Sequence, residues 1–356
     1  MPRRATLSLV LLCCLNLAPA AWAELVMPAA PDPDDTLAPQ TDDATAVQPM
    51  DAQDACLLRA LRNAPADTPL STLKDSCGIT ERSGRQQNED ALRERLLLEQ
   101  STQFNPFAMT PHRRNYLMLG SYWSNPQWND PAKEDHELNP VEVKFQLSIK
   151  MPLATQVLDH YNIYFAYTQV SFFQVYNKAQ SRPFRETDYM PELFATRTVD
   201  WQFGPFDSEL ISFGYVHQSN GQDVPTSRSW DRLMFNYVAR SGQYYWQLNT
   251  WYRLPESKKK RPMSSSGDDN PDIEKYMGNF ELTVARPFGN HIAEIMLRNN
   301  LRRGENKGAV QLDYTFPISS RFKGIFQVFS GYGDSLINYD DYQNRVSLGV
   351  LLTDTL

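Results

Sequence analysis

The sequence predicts an all-β protein: a twelve-stranded antiparallel transmembrane β-barrel behind an N-terminal extension that is mostly disordered, with a small helical part. Three observations carry that expectation. From about Asn105 onward, apolar and polar residues alternate in segments of roughly ten, the length of a strand tilted across a bilayer. The connections between segments alternate between short and long. Aromatic residues reach 12% of the 356 residues, with 17 Tyr, 18 Phe and 7 Trp, although the mean hydropathy is only −0.51. Beyond the first twenty or so residues no unbroken apolar run approaches the ~18 that a spanning helix needs. The 42 acidic residues outnumber the 35 basic ones, giving a net charge of −7. That balance excludes a general nucleic-acid binder, whose footprint is basic.

The elements follow in chain order. Arg3 and Arg4 precede an apolar stretch from Leu7 to Leu17, and Ala21-Trp22-Ala23 closes it, so residues 1–23 read as a secretory signal peptide. Cys13 and Cys14 fall inside that leader, and Leu12 before them is too large for a lipoprotein cleavage site. Its removal takes away two positive charges, so the exported chain carries −7 − 2 = −9. Residues 24–55 form an acidic linker rich in Pro and Ala, with eight acidic residues and no Lys or Arg between Glu24 and Asp54. Such a segment buries too little apolar surface to offset its ordering entropy. Residues 56–104 read as a small helical, periplasm-facing element. Cys56 and Cys77, the pair left after export, are candidates for a disulfide rather than a metal site.

The barrel occupies residues 105–356. Val141-Glu142-Val143-Lys144-Phe145-Gln146-Leu147-Ser148-Ile149-Lys150 alternates without a miss, placing its apolar side chains on one face. Similar runs are expected at 113–123, 161–175, 190–199, 208–218, 229–239, 243–253, 275–286, 291–299, 307–316, 321–330 and 343–353. Connections after even-numbered strands are short, as at Arg240-Ser241-Gly242, and those after odd-numbered strands are longer, as at Leu254–Ile273. Short turns at one end and long loops at the other are the build of outer-membrane barrels. Aromatics near strand ends (Tyr122, Trp123, Tyr161, Tyr164, Trp230, Tyr244, Trp246, Trp251) are expected to form interfacial girdles.

The chemistry concentrates on the fifth and sixth strands. His217 and Ser219 are two residues apart at a strand end, so their side chains share a face. A His beside a Ser accepts its proton as the hydroxyl attacks a carbonyl, and a third group must orient the imidazole. Asp231 opens the returning strand, within reach of His217. Phe213 and Tyr215 lie on the His217 face, and Leu233, Phe235 and Tyr237 on that of Asp231, so these polar candidates sit on the aromatic, lipid-facing side. A nucleophile facing the bilayer implies a lipid substrate. By spacing alone, a polar strand end is the better explanation of His217 and Ser219, because Ser residues are many and chance His-x-Ser pairs are common.

The longer segment is more specific. His217-Gln218-Ser219-Asn220-Gly221, followed by Pro225-Thr226-Ser227-Arg228-Ser229-Trp230, resembles the outer-membrane phospholipase A family. So do Glu142 to Ser148, Pro183 to Thr187, Asp269 to Ile273, Lys275 to Gly278 and Ser330 to Ile337. The resemblance spans 105–356 and not 24–100. It implies a calcium-dependent phospholipase A1/A2, with lysophospholipase activity, in the bacterial outer membrane, active as a homodimer on outer-leaflet phospholipid. Position by position it implies Ser219 as nucleophile, His217 as general base, Asp231 as the orienting group and the Gly221 N–H as oxyanion donor. It further implies Ca²⁺ on the Ser227 hydroxyl and Gln222 carbonyl, with the Ser181 carbonyl from the other subunit, and Gln169 in the dimer interface.

Two positions depart from the family pattern. Asp231 stands where the family has Asn, and Val224 where it has Asp, with Asp223 one residue earlier, which puts a calcium site in the monomer in doubt. Lys258 to Arg261 reads as a solvated loop charge run, with contact to lipopolysaccharide phosphates as the alternative. The competing functions are a non-catalytic channel or structural barrel and a secreted soluble esterase.

Overall fold

The computed structural model describes residues 105, 108–128, 137–158, 160–261, 263–319 and 322–354, together with Cys56, Arg59, Ser76 and Cys77. The expected signal peptide, the acidic linker and all but four residues of the helical element lie outside the described residues. The chain divides into two units, Met1–Ile79 and Thr80–Leu356. In the first, Cys56, Arg59 and Ser76 are helical, and Cys56 and Cys77 are joined by a disulfide with Cα atoms 5.8 Å apart.

The second unit contains twelve long strands among the described residues. They are β1 (Asn115–Trp123), β2 (Val141–Val157), β3 (Tyr161–Phe173), β4 (Phe184–Thr198), β5 (Phe206–Ser219) and β6 (Ser229–Ser241). The ring continues through β7 (Tyr244–Arg253), β8 (Phe280–Phe288), β9 (His291–Asn299), β10 (Gly308–Pro317), β11 (Lys323–Gly331) and β12 (Gln343–Thr353). Each pairs antiparallel with its successor, and β12 returns to β1 with Arg345 opposite Trp123 and Leu351 opposite Tyr116. This closure gives backbone groups at both edges a partner, as a hydrocarbon surround requires. Two-residue bridges at Thr110–Pro111 and Gln202–Phe203 add to β2 and β5. Short connections at 158–160, 199–205, 242–243, 289–290 and 318–322 share one rim. The longer ones at 124–140, 174–183, 220–228, 254–279, 300–307 and 332–342 share the other, as the sequence predicts.

Three boundaries differ markedly from the sequence expectation, the first being β2, which continues past Lys150 to Val157. β4 begins at Phe184 rather than 190, because Arg185, Glu186 and Asp188 point inward and find partners there. Residues expected to open the eighth strand instead form a short helix, α1 (Ile273–Met277). Its Ile273 and Met277 pack against Trp230, Trp251, Leu336 and Tyr339, forming an apolar cap over the lumen at the long-loop end.

Alternation sorts the side chains as expected, with the apolar set outward. Leu147, Phe165, Leu193, Phe213, Leu312 and Leu348 are exposed on the outer wall, whereas Glu142, Lys144, Ser148 and Lys150 are buried inside. In the lumen Glu142 binds Arg185 and Arg345, each at 3.0 Å, and accepts a hydrogen bond from Gln174 at 2.9 Å. Arg185 stacks over the Trp123 and Phe172 rings, 4.3 and 4.7 Å from their centroids. Arg345 also reaches Asp334 in the 332–342 loop at 2.7 Å, and Lys144 reaches it at 3.3 Å. Burial opposes ionisation of Asp334, but Arg345, Lys144 and Arg185 outweigh it and hold the carboxyl well below the usual carboxylate range.

The girdle expectation needs correction. Tyr122 and Tyr244 are exposed on the outer wall, but Trp123, Tyr164, Trp230 and Trp251 are buried. Trp123 and Trp230 face cations inside the barrel, Arg185 and Arg232. Aromatic content at strand ends therefore serves the polar lumen as well as the interface, and strand parity separates the two roles.

Glu142→Ala removes the paired carboxylate of buried Arg185 and one of the two that hold Arg345, and should cost about 3 kcal/mol or more in urea unfolding of the vesicle-embedded barrel. Arg240→Gln, which breaks a half-exposed pair with Glu209 at 3.1 Å, should cost under about 1 kcal/mol in the same assay.

Candidate active site

Cross-strand register brings His217 of β5 directly opposite Asp231 of β6, with Ser219 opposite Ser229 two residues toward the long-loop rim. The His217 Nδ1 lies 2.8 Å from Asp231 Oδ1. Their side chains remain 37% and 31% exposed, so the pair sits on the outer wall and not in the lumen. Ser219 shares their parity at the end of β5 and is partly exposed. The intervening positions point inward: Gln218 and Arg232 are buried, and the Gln218 Oε1 accepts hydrogen bonds from Trp230 Nε1 at 3.0 Å and Arg232 at 2.8 Å.

The Tyr215 hydroxyl also donates to Asp231 Oδ1, at 2.5 Å. A carboxylate facing lipid is costly unless its lone pairs are satisfied, and here one oxygen has two partners, the imidazole and the phenol. Sequence reasoning missed this contact, although Tyr215 shares a face with His217 and precedes it by two residues. Around the pair, Phe213, Tyr215, Phe235 and Tyr252 are exposed and make an apolar, aromatic surround.

The 220–228 loop is organised by buried Asn220, another residue that sequence reasoning gave no role. Its Nδ2 donates to the Thr226 carbonyl at 2.9 Å, and its Oδ1 accepts from the Arg228 N–H at 2.9 Å. Its backbone N–H donates to the Arg228 carbonyl at 3.0 Å. Gly221 follows with φ +63°, and a Cβ there would lie 3.1 Å from the Tyr189 ring edge. Glycine is therefore favoured by both backbone and space. The Gln222 side chain donates to Glu186 at 2.8 Å, tying the loop to the first turn of β4.

The other candidate residues lie on the same rim. Ser227 Oγ donates to Asp269 Oδ2 at 2.6 Å, and Asp269 is ion-paired with Lys259. Asn270, fully buried, accepts the Ser229 N–H at 3.0 Å. The 254–279 loop is thus anchored at Ser227 to the 220–228 loop and at Ser229 to the strand that carries Asp231. Ser181 is exposed in the 174–183 loop with φ +55°. Gln169 lies on β3, where Tyr167 donates to its Oε1 at 3.3 Å, and its Nε2 donates to Ser171 at 3.1 Å.

A His with one nitrogen held by a carboxylate, a Ser on the same face and a glycine N–H in the following loop can perform acyl transfer. The family model described as Phospholipase A1 matches residues 92–352. The chain belongs to that family. It is 37% identical over 260 residues to the Phospholipase A1 of Klebsiella pneumoniae, covering 70% of this chain and 84% of that one. Outer membrane phospholipase A from Escherichia coli superposes with a TM-score of 0.63 at 34% identity, over 71% of this chain and 95% of its own. The Salmonella typhi outer membrane phospholipase, solved as a dimer with bound calcium, gives 0.63 at 35% identity, over 71% and 94%. The protein is accordingly a phospholipase, and its closed barrel resides in the bacterial outer membrane.

The donor chemistry near Ser227 fits calcium. Ca²⁺ takes hydroxyl, carbonyl and carboxylate oxygens, and Ser227 has the Asp269 carboxylate within 2.6 Å and the Gln222 backbone in the same loop. No group of three His, Cys, Asp or Glu side chains placed to hold a metal ion occurs among the described residues, so hydroxyl and carbonyl oxygens would carry much of the coordination.

Gly221→Ala should lower phospholipase kcat by tenfold or more, because the new Cβ strains the loop and moves its N–H. The loop lies at the rim, so the urea midpoint of the barrel should shift by no more than about 1 kcal/mol of stability.

Proposed function

We propose that the phospholipase hydrolyses acyl esters of outer-leaflet phospholipids, at either position and on lysophospholipids, through Ser219, His217 and Asp231. The observation that carries this reading is the lipid-facing His217–Asp231 contact of 2.8 Å. With Nδ1 held by Asp231, Nε2 is the nitrogen left to take the Ser219 proton as Oγ attacks the ester carbonyl. The oxyanion forms beside the Gly221 N–H. His217 then protonates the departing lysophospholipid oxygen, and the same base activates water to release the acyl chain as a fatty acid. A substrate already in the bilayer meets the nucleophile laterally, so it need not leave the membrane.

Calcium, held by the Ser227 hydroxyl and the Gln222 carbonyl with the Ser181 carbonyl of a second copy, would add positive charge beside the oxyanion. Two copies would meet through the wall that carries Gln169. The Tyr167–Gln169–Ser171 chain leaves that amide satisfied in a single barrel. It can therefore face lipid in the monomer and exchange partners on association. Activity then depends on substrate reaching the outer leaflet and on two barrels meeting there.

Hydrolysis of a phospholipid in detergent micelles tests this directly. Ser219→Ala and chelation with EDTA should each reduce turnover to background; turnover that survives Ser219→Ala would exclude Ser219 as nucleophile, and turnover in EDTA would exclude the calcium requirement.

The Tyr215–Asp231 contact makes a finer prediction. Tyr215→Phe should lower kcat about tenfold with KM unchanged, the effect of losing one hydrogen bond to a charged group. In an Asp231→Asn background, where that charge is gone, the same change should cost less than about threefold, and equal losses in both backgrounds would show that the phenol acts by packing.

A further inference from the structure

The basic run at 258–261 is not uniform. Lys258, Lys260 and Arg261 are exposed and make no ion pair among the described residues. Lys259 is different: it is mostly covered and ion-paired with Asp269, itself only 9% exposed at its side chain. The other carboxylate oxygen of Asp269 accepts a hydrogen bond from the Ser227 hydroxyl. An ammonium group is therefore fixed on the carboxylate that adjoins the proposed calcium-binding hydroxyl.

Its placement is built into the loop. The Asp268 N–H donates to the Ser257 carbonyl at 2.8 Å, folding 257–259 back against 267–269. Gly267 has φ +105°, and a Cβ there would lie 2.9 Å from the Lys259 Cα and N. Only a glycine lets the two backbones approach so closely. From the other side Arg253 grips Asp268 Oδ1 at 2.6 Å, which fixes the start of the 268–270 segment. Arg253 and Lys259 thus bind neighbouring aspartates, and the second of these is the one beside Ser227.

We propose that Lys259 is a tethered cation that competes with calcium for the Asp269–Ser227 oxygens and so sets the calcium concentration at which the phospholipase responds. The inference rests on the calcium reading above. A divalent ion entering this site must displace the ammonium from Asp269, and the Ser227 hydroxyl must turn its proton away to offer a lone pair. Both steps lower apparent affinity by the fraction of molecules in which the pair is open. A built-in lysine suits an enzyme that must be silent at low calcium, because it lends the loop an ordered, neutralised state without the metal.

Calorimetric titration of the detergent-solubilised full chain with calcium chloride tests this without measuring hydrolysis. Lys259→Met should tighten the calcium Kd about tenfold, and Lys259→Gln should do the same. Lys258→Met, which removes a neighbouring charge that touches neither Asp269 nor Ser227, should leave Kd within twofold of the unmodified protein. Asp269→Asn should weaken binding. Heat-shifted gel mobility identifies variants that retain the barrel. If both Lys259 variants bind calcium as the unmodified protein does, or if Lys258→Met tightens binding equally, competition by Lys259 is wrong while the calcium site stands. Absence of calcium binding in every form, the unmodified protein included, would overturn the calcium reading and this inference with it.

Discussion

The ring closed by β12 against β1 is the constraint on which the rest of the molecule depends. In hydrocarbon every strand edge must be paired, and once the sheet closes, each residue is committed to one of two environments by parity alone. Glu142, Lys144, Arg185 and Arg345 are then forced together in a narrow lumen. They persist there as a neutralising network, with aromatic faces under the guanidinium groups. A one-residue slip in β2, β4 or β12 would place part of that charge in lipid.

The same sorting puts the reactive groups on the outside. His217, Ser219 and Asp231 share the parity of Phe213 and Phe235, so the site proposed for hydrolysis faces the lipid phase rather than the lumen. Soluble hydrolases must draw a lipid into a cleft; under the proposed mechanism the barrel wall itself would be the binding surface. The cost is a carboxylate beside the bilayer, offset by the His217 and Tyr215 hydrogen bonds. The long loops do the remaining work. Asn220 fixes the loop that follows Ser219, and Asp269 and Asn270 tie the next long loop to it.

Much of this was legible in the sequence because alternation and loop length are local signals. The 141–150 run and the alternation of short and long connections are enough to predict a barrel. The His217–Asp231 pairing was also accessible, since both residues flank one hairpin loop at matching parity. What was not legible required knowledge of what fills the lumen. Trp230 and Trp251 read as girdle residues until Ile273, Leu336 and Tyr339 close over them. The Ile273–Met277 helix interrupts a predicted strand for the same reason. Lys259 could not be separated from Lys258 or Lys260 by sequence, because only the fold of the 257–269 loop turns one of them toward Asp269.

The proposed nucleophile of the phospholipase reaction stands on the lipid-facing wall. Covalent labelling in proteoliposomes tests that placement most directly, with a long-chain alkyl sulfonyl fluoride and its short, water-soluble analogue compared by peptide mass spectrometry. One adduct is expected, on Ser219, formed much faster by the long-chain reagent and abolished by His217→Ala. Labelling of a lumen-facing serine instead, or Ser219 labelling at equal rates by both reagents and independent of His217, would contradict it.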